Sequence, residues 1–177
     1  GNIKDRKRWR SGRGIYQRSH KYLYYSGEIM EIIPYKIVNI IASMNIGERF
    51  HLQEVHEVLK NSEYDPEFYH ALKYKNKNPK VTILVHKKGK IIFCGAKSEE
   101  EIKIAKENFF FDLKTIGYHP QNNPIHIDNL VLIGNLNKEM NLDKIAISRD
   151  GTQYEPEIFP GLFLRNVNPK FTAILFK

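Results

Sequence analysis

The chain repeats itself once, at a spacing of 90 residues, and this narrows the folds open to it more than any other feature. Tyr154-Glu155-Pro156-Glu157-Ile158-Phe159-Pro160-Gly161-Leu162 has a worn copy in Tyr64-Asp65-Pro66-Glu67-Phe68-Tyr69-His70-Ala71-Leu72. The register continues without a gap through Asn39/Asn129, Leu52/Leu142, Asn76/Asn166, Pro79/Pro169, Lys80/Lys170 and Thr82/Thr172. The period is about twice that of solenoid repeats and occurs only twice, so two half-domains related by a pseudo-twofold axis are expected, not a linear array.

Residues 37–46 are apolar and partly β-branched and read as a strand ended by Gly47. Leu52, Val55 and Leu59 place one apolar stripe on a short helix, and Leu142, Ile145 and Ala146 repeat it. Short β-rich runs at 71–74, 81–86 and 91–94, separated by polar turns, predict an antiparallel meander. Ser98 and Glu101 form a capping box for a long amphipathic helix carrying Ile102, Ala105, Phe109 and Leu113, closed by Gly117. The fold class is therefore α+β.

Alternation along the meander puts Val81, Ile83 and Val85 towards the helices and Thr82, Leu84 and His86 away from them. In the second copy Phe171, Ala173 and Leu175 point inward and Thr172, Ile174 and Phe176 outward, while residues 91–93 are apolar on both sides. The outward face is thus apolar where water would favour polar groups. The helices of each copy are needed on the other face, so the outward one is expected to be a binding surface.

A formal charge of +8 and a pI near 9.4 favour an anionic partner, nucleic acid first, unless a lysine- and asparagine-rich composition simply spreads that charge everywhere. The single cysteine, Cys94, excludes an intrachain disulfide and fits a reducing compartment. No apolar run approaches the roughly 20 residues of a membrane span, so a soluble intracellular protein without membrane contact is expected. Residues 1–33, with Lys4, Arg6, Lys7, Arg8, Arg10, Arg13 and Arg18, read as a basic arm without regular structure: a nuclear-targeting or DNA-backbone segment, or a solvated tail. Its end, Tyr22 to Tyr25, is expected to dock. His51, Glu54 and His56 do not make His-Glu-x-x-His, and no nucleophile elbow, dinucleotide fingerprint or cysteine cluster occurs. Neither an enzyme nor a cofactor is expected.

Tyr-Glu-Pro-Glu-x-Phe-Pro-Gly-Leu at 154–162, Arg165, Asn-Pro-Lys at 168–170, Gly89-Lys90 and Gly95-Ala96-Lys97-Ser98 together resemble the conserved core of the TATA-box-binding protein family, from about Pro34 to the C-terminus. The resemblance implies a saddle: a curved antiparallel sheet of two pseudo-symmetric repeats, helices on the convex face, the concave face on the DNA minor groove. It divides the chain into the arm 1–33, a first repeat 34–124 and a second repeat 125–177. Asn39 and Asn129, with Ile41 and Val131 beside them, would meet the A·T acceptors near the pseudo-dyad; two strand asparagines bonded to backbone are the alternative. Leu84, Ile92 and Ile174 would supply apolar groove contacts, joined by Cys94 unless it is only a small buried residue. Lys75, Arg165, Lys90 and Lys97 would sit on phosphates unless they are only solvated cations.

Phe159 and Phe176 match the family's pair of inserting phenylalanines, and the first copy has Tyr69 and His86 at those positions, so a stronger DNA distortion is expected at the second-copy end. Tyr154, Glu155 and Glu157 resemble the loop that recruits transcription factor IIB, unless they serve only turn and capping chemistry. Transcription factor IIA, TBP-associated factors and nuclear localisation are implied in the same way. The function implied is a general initiation factor that binds and bends the TATA minor groove; the alternative is a related factor with weakened TATA specificity acting as a protein platform. Counterparts of residues 91–94 and of the helix 98–117 would fall beyond Lys177, so an unpaired sheet edge is expected, with a truncated chain or completion by another chain. A homodimer through the concave face or by such completion is a further partner expectation.

Overall fold

The computed structural model describes residues 22–25, 28–31 and 34–177. In chain order the elements are β1 (Tyr22–Tyr25), β2 (Glu28–Glu31), β3 (Tyr35–Asn45), α1 (Leu52–Val58), β4 (Ser62–Glu63), β5 (Leu72–Asn76), β6 (Val81–Val85), β7 (Lys90–Ala96), α2 (Glu99–Thr115), β8 (His126–Gly134), α3 (Leu142–Ser148), β9 (Thr152–Gln153), β10 (Leu162–Asn166) and β11 (Phe171–Leu175). From α1 to β6 every element recurs 90 residues later with the same bounds, as α3 to β11.

The duplication reaches individual hydrogen bonds. Tyr69 N donates to Asp65 O, and Phe159 N to Glu155 O, each at 2.9 Å. Lys75 N donates to Asn61 O and Arg165 N to Gly151 O, each at 2.8 Å. Both acceptors have positive φ, 59° at Asn61 and 77° at Gly151, the left-handed conformation that Asn and Gly tolerate best. At Gly151 a Cβ would also stand 2.6 Å from the Arg165 carbonyl oxygen.

The described residues fall into two units, one ending at Gly134 and the other running Asn135–Lys177. The first contains a six-stranded antiparallel sheet in the order β4-β5-β6-β7-β3-β8. Ile83, Val85, Ile91, Phe93, Ala42 and Met44 lie on its inner face, packed with Leu52 and Val55 of α1 and Ile102, Ala105, Phe109 and Leu113 of α2. Fully burying one such side chain contributes about 1.5–3 kcal/mol. Ser98 Oγ accepts from Glu101 N at 3.1 Å, and Glu101 Oε2 accepts from Lys97 N at 2.7 Å, one residue before the N-cap. Gly117, at φ 92°, ends α2, with Tyr118 N donating to Leu113 O.

The repeat assigns β8 to the second copy, yet β8 belongs to the first unit, because β3 is its one strand neighbour among the described residues. Its outer edge is unpaired there, and all nine of its residues are exposed, Leu130 and Leu132 included. The second unit has a three-stranded sheet, β11-β10-β9, around a small core of Leu142, Leu162 and Leu164 with Ile145, Ala146, Tyr154, Ala173 and Leu175.

One expectation needs correction. Residues 22–25 and 28–31 are not irregular: the two segments pair antiparallel, Tyr22 with Glu31 and Tyr25 with Glu28. An aromatic run separated from Glu28-Ile29-Met30-Glu31 by Ser26-Gly27 carries the usual hairpin signal. The basic run from Lys4 to Arg18 lies outside the described residues. Phe171 lies on the face of Ala173 and Leu175, the inward side as expected, yet it is 44% exposed, whereas its counterpart Val81 is 2% exposed. Alternation sets the side of the sheet but not whether a helix covers it; Val81 lies in the core that α1 and α2 build, and Phe171 lies outside the cluster formed with α3.

Candidate nucleic-acid interface

The outer face of the first unit follows from strand register. Residues directly opposite one another share a face, so Lys75, Thr82 and Cys94 form one row across β5, β6 and β7, and Lys73, Leu84 and Ile92 the next. Leu84, Ile92 and Cys94 are half-buried, and Lys73 and Lys75 are exposed. Within the described first unit, α1 and α2 contribute to the core on the other face.

At the β3–β8 seam, Asn39 is opposite Val131 and Ile41 is opposite Asn129. These four predicted residues therefore form one cross-strand quartet. Asn39 Oδ1 accepts from Gly95 N at 3.0 Å, and Asn129 Oδ1 accepts from Leu130 N at 3.0 Å. With both amide oxygens engaged, the NH₂ group of each asparagine has no hydrogen-bond partner among the described residues. Burial pushes the Cys94 thiol above its ordinary pKa.

The first-copy end differs from the second in each matched part. Tyr69 is 42% exposed, and Lys73 Nζ lies 5.8 Å from its ring centroid. His86, half-buried one residue past β6, has a buried Nε2 without a hydrogen-bond partner among the described residues. Lys75 is ion-paired with Glu63, and this hydrogen bond holds the Glu63 carboxyl below its ordinary pKa.

In the second unit, Phe159 stacks at 5.3 Å on Phe163 and 5.9 Å edge-on to Phe176. Phe163 is opposite Ile174, and Arg165 lies 5.8 Å from the Phe163 centroid. Gly161 permits the cluster: a Cβ there would stand 2.7 Å from Phe159 Cε1, 2.8 Å from Ile174 Cγ2 and 3.0 Å from Phe176 Cε1. Position 71 carries alanine instead.

Lys90 begins β7 on the face of Ile92 and Cys94, whereas Lys97 lies beyond that strand, at the start of α2. Glu155 and Glu157 are exposed in the loop before β10. Glu155 O accepts from the N–H groups of Ile158 and Phe159. Tyr154 is half-buried against the small core, and Ile158 is 79% exposed. Sequence reasoning missed Phe163, Lys73 and Gly161. Phe163 and Lys73 each stand two residues before a predicted cation on the same strand face, which was the signal available.

Each copy thus packs helices on one side of an antiparallel meander and leaves an apolar face with cations beside it on the other. The family model "Transcription factor TFIID (or TATA-binding protein, TBP)" matches residues 34–116 and 124–177. The chain is 43% identical over 142 residues to the TATA-box-binding protein of Methanocaldococcus jannaschii, spanning 80% of this chain and 78% of that protein. It is 38% identical over 148 residues to that of Methanothermobacter thermautotrophicus, spanning 83% and 82%. The solved structure described as Methanococcus jannaschii TBP superposes with a TM-score of 0.74 at 42% identity, covering 80% of this chain and 82% of that one. The chain belongs to the TATA-box-binding protein family, has its α+β fold, and is a transcription factor, not an enzyme. These relatives are archaeal, and archaea have no nucleus, so the similarity carries over a place of action on DNA but not a nuclear one.

Proposed function

We propose that this chain binds A·T-rich duplex DNA in the minor groove through its outer sheet faces, bends it, and nucleates assembly of the transcription-initiation machinery. The observation that carries this reading is the Asn39/Val131 and Ile41/Asn129 quartet within an apolar face. Over A·T pairs the minor groove offers acceptors and no amino group. Amide donors flanked by aliphatic side chains suit that floor, and a guanine amino group would collide with it. Leu84, Ile92, Cys94 and Ile174 extend the contact, with Lys75, Lys90, Lys97 and Arg165 towards phosphates.

Phe159 and Phe176 act as the wedge at one end, backed by Phe163. At the other, the exposed Tyr69 must lose water from its phenol to insert, which costs about 1–3 kcal/mol for an unpaired polar group, and His86 puts a polar imidazole where the second copy has a phenylalanine. The distortion is therefore asymmetric, and equal kinks at both ends would overturn this. Tyr154, Glu155 and Glu157 present the loop for transcription factor IIB; Tyr154 serves by bracing it from the core, the exposed Glu155 and Glu157 by contact. Transcription factor IIA and TBP-associated factors follow by family. Action is in the compartment that holds the DNA, the nucleus in a nucleated cell.

A second reading is favoured by Tyr69, His86 and the Glu63–Lys75 pair: a family member with weakened TATA preference, working mainly as a protein platform. Affinity for a TATA duplex against a G·C-substituted control, with the salt slope of each, separates the two. Strong preference for TATA supports the first; equal, weak, salt-sensitive binding supports the second.

A further inference from the structure

The two copies hold their matched cations in different ways. In the first, Glu63 on β4 pairs with Lys73 in strand register and forms an ion pair with Lys75. In the second, Gln153 on β9 pairs with Phe163, and Arg165 Nη1 donates to Gln153 Oε1 at 3.4 Å. Each trio carries the same net charge of +1, so the copies differ in where the charge lies, not in how much there is. In the second copy all of it rests on one guanidinium with a neutral partner. In the first it is divided between two lysines, one lying against the Tyr69 ring and the other bound to a carboxylate.

Resting on the DNA-binding reading above, we propose that Glu63 masks Lys75 and so tunes how firmly this copy holds the DNA backbone: its carboxylate occupies, on Lys75, the place that a DNA phosphate would take. An amide oxygen neither cancels a cation nor repels an incoming phosphate; a carboxylate does both. Backbone attachment is thereby weakened at the first-copy end and left intact at the second, the end that also holds the phenylalanine cluster. Both side chains are more than half exposed, at 54% for Lys75 and 57% for Glu63, so the mask is displaceable and its effect is graded.

The test is a salt series of duplex affinity for the full chain, Glu63→Gln and Gln153→Glu, repeated with Lys75→Ala in both the wild-type and Glu63→Gln backgrounds. Glu63→Gln should bind roughly two- to fivefold tighter at low salt. Its log–log salt slope should steepen by about 0.9, one released counterion. Gln153→Glu should do the reverse. Lys75→Ala should weaken binding more in Glu63→Gln than in the wild type, and should remove the added slope there. Unchanged affinity and slope in Glu63→Gln would overturn the proposal, and so would weaker binding, which would make Glu63 an orienting partner of Lys75. Phosphate attachment is independent of sequence, so a wild type that does not prefer TATA would sink the DNA-specificity reading while the slope comparison still decides on the mask.

Discussion

Ile40 and Leu130 are counterparts 90 residues apart, and they face each other across the β3–β8 ladder. A pair made of one position and its own copy marks a local twofold axis. Asn39/Val131 and Ile41/Asn129 are the next positions on either side, exchanged by that axis. The asparagines therefore stand at equivalent places on either side of that axis.

Replacing Asn39 or Asn129 by alanine removes one amide donor from the β3–β8 seam. Each substitution should weaken TATA binding about tenfold, or about 1.4 kcal/mol, with less loss on a G·C-substituted duplex. Competition binding measures this. An equal loss on both duplexes would mean that the asparagines serve only backbone structure.

Gly161→Ala brings a Cβ within 2.7 Å of Phe159 Cε1 and 3.0 Å of Phe176 Cε1, so both rings must shift. Unstacking at the second-copy end, read as permanganate reactivity of thymines there, should fall to the level of the first-copy end. A shift in thermal midpoint of only a few degrees is expected for the free protein, because these rings lie on the outer face. Conversely, Tyr69→Phe with His86→Phe should raise reactivity at the first-copy end.

Burial raises the Cys94 thiol pKa, so near neutral pH the group stays protonated more fully than a free cysteine. The thiolate is the reactive form. Alkylation by iodoacetamide should be slower than for a free thiol at pH 7, accelerate into the alkaline range, and be suppressed further by saturating TATA duplex. Labelling that DNA does not affect would remove Cys94 from the interface.

The Tyr74 hydroxyl donates to Asp112 Oδ2 at 2.7 Å while its ring packs 4.9 Å from Phe109. Tyr74→Phe keeps the packing and loses the bond to a carboxylate, at a cost of about 1.5–3 kcal/mol in urea unfolding near neutral pH. Burial first, and then the bond to Asp112, hold the phenol well above its ordinary value of 10.0. The folded state keeps this proton where the unfolded chain loses it, so the contribution is whole below about pH 10 and is lost progressively above it. In Tyr74→Phe that alkaline loss should be shallower.

The duplication, the α+β class and the apolar outer face were legible because identical residues at one spacing report shared structure and alternation reports sides. Asn39, Ile41, Asn129 and Val131 were legible as positions in matching strands; that they meet in one quartet required the register. Phe163/Lys73, Gly161/Ala71 and Gln153/Glu63 stayed hidden for the opposite reason. At those places the copies no longer agree, and a search for repeated identity passes over them. The β1–β2 hairpin escaped because the basic composition around it masked a short aromatic run.

The β3–β8 seam also bears on how such a chain could exist at half its length. A strand that pairs with its own copy about a twofold axis needs no partner but a second molecule of itself, and contacts of this kind close symmetric dimers. Joining two such halves through a connection between α2 and β8 turns an association that depends on concentration into one that does not. It also frees the halves from having to stay identical. Tyr69 and His86 in one copy, with Phe159 and Phe176 at the matching positions of the other, are a difference that no homodimer could have encoded.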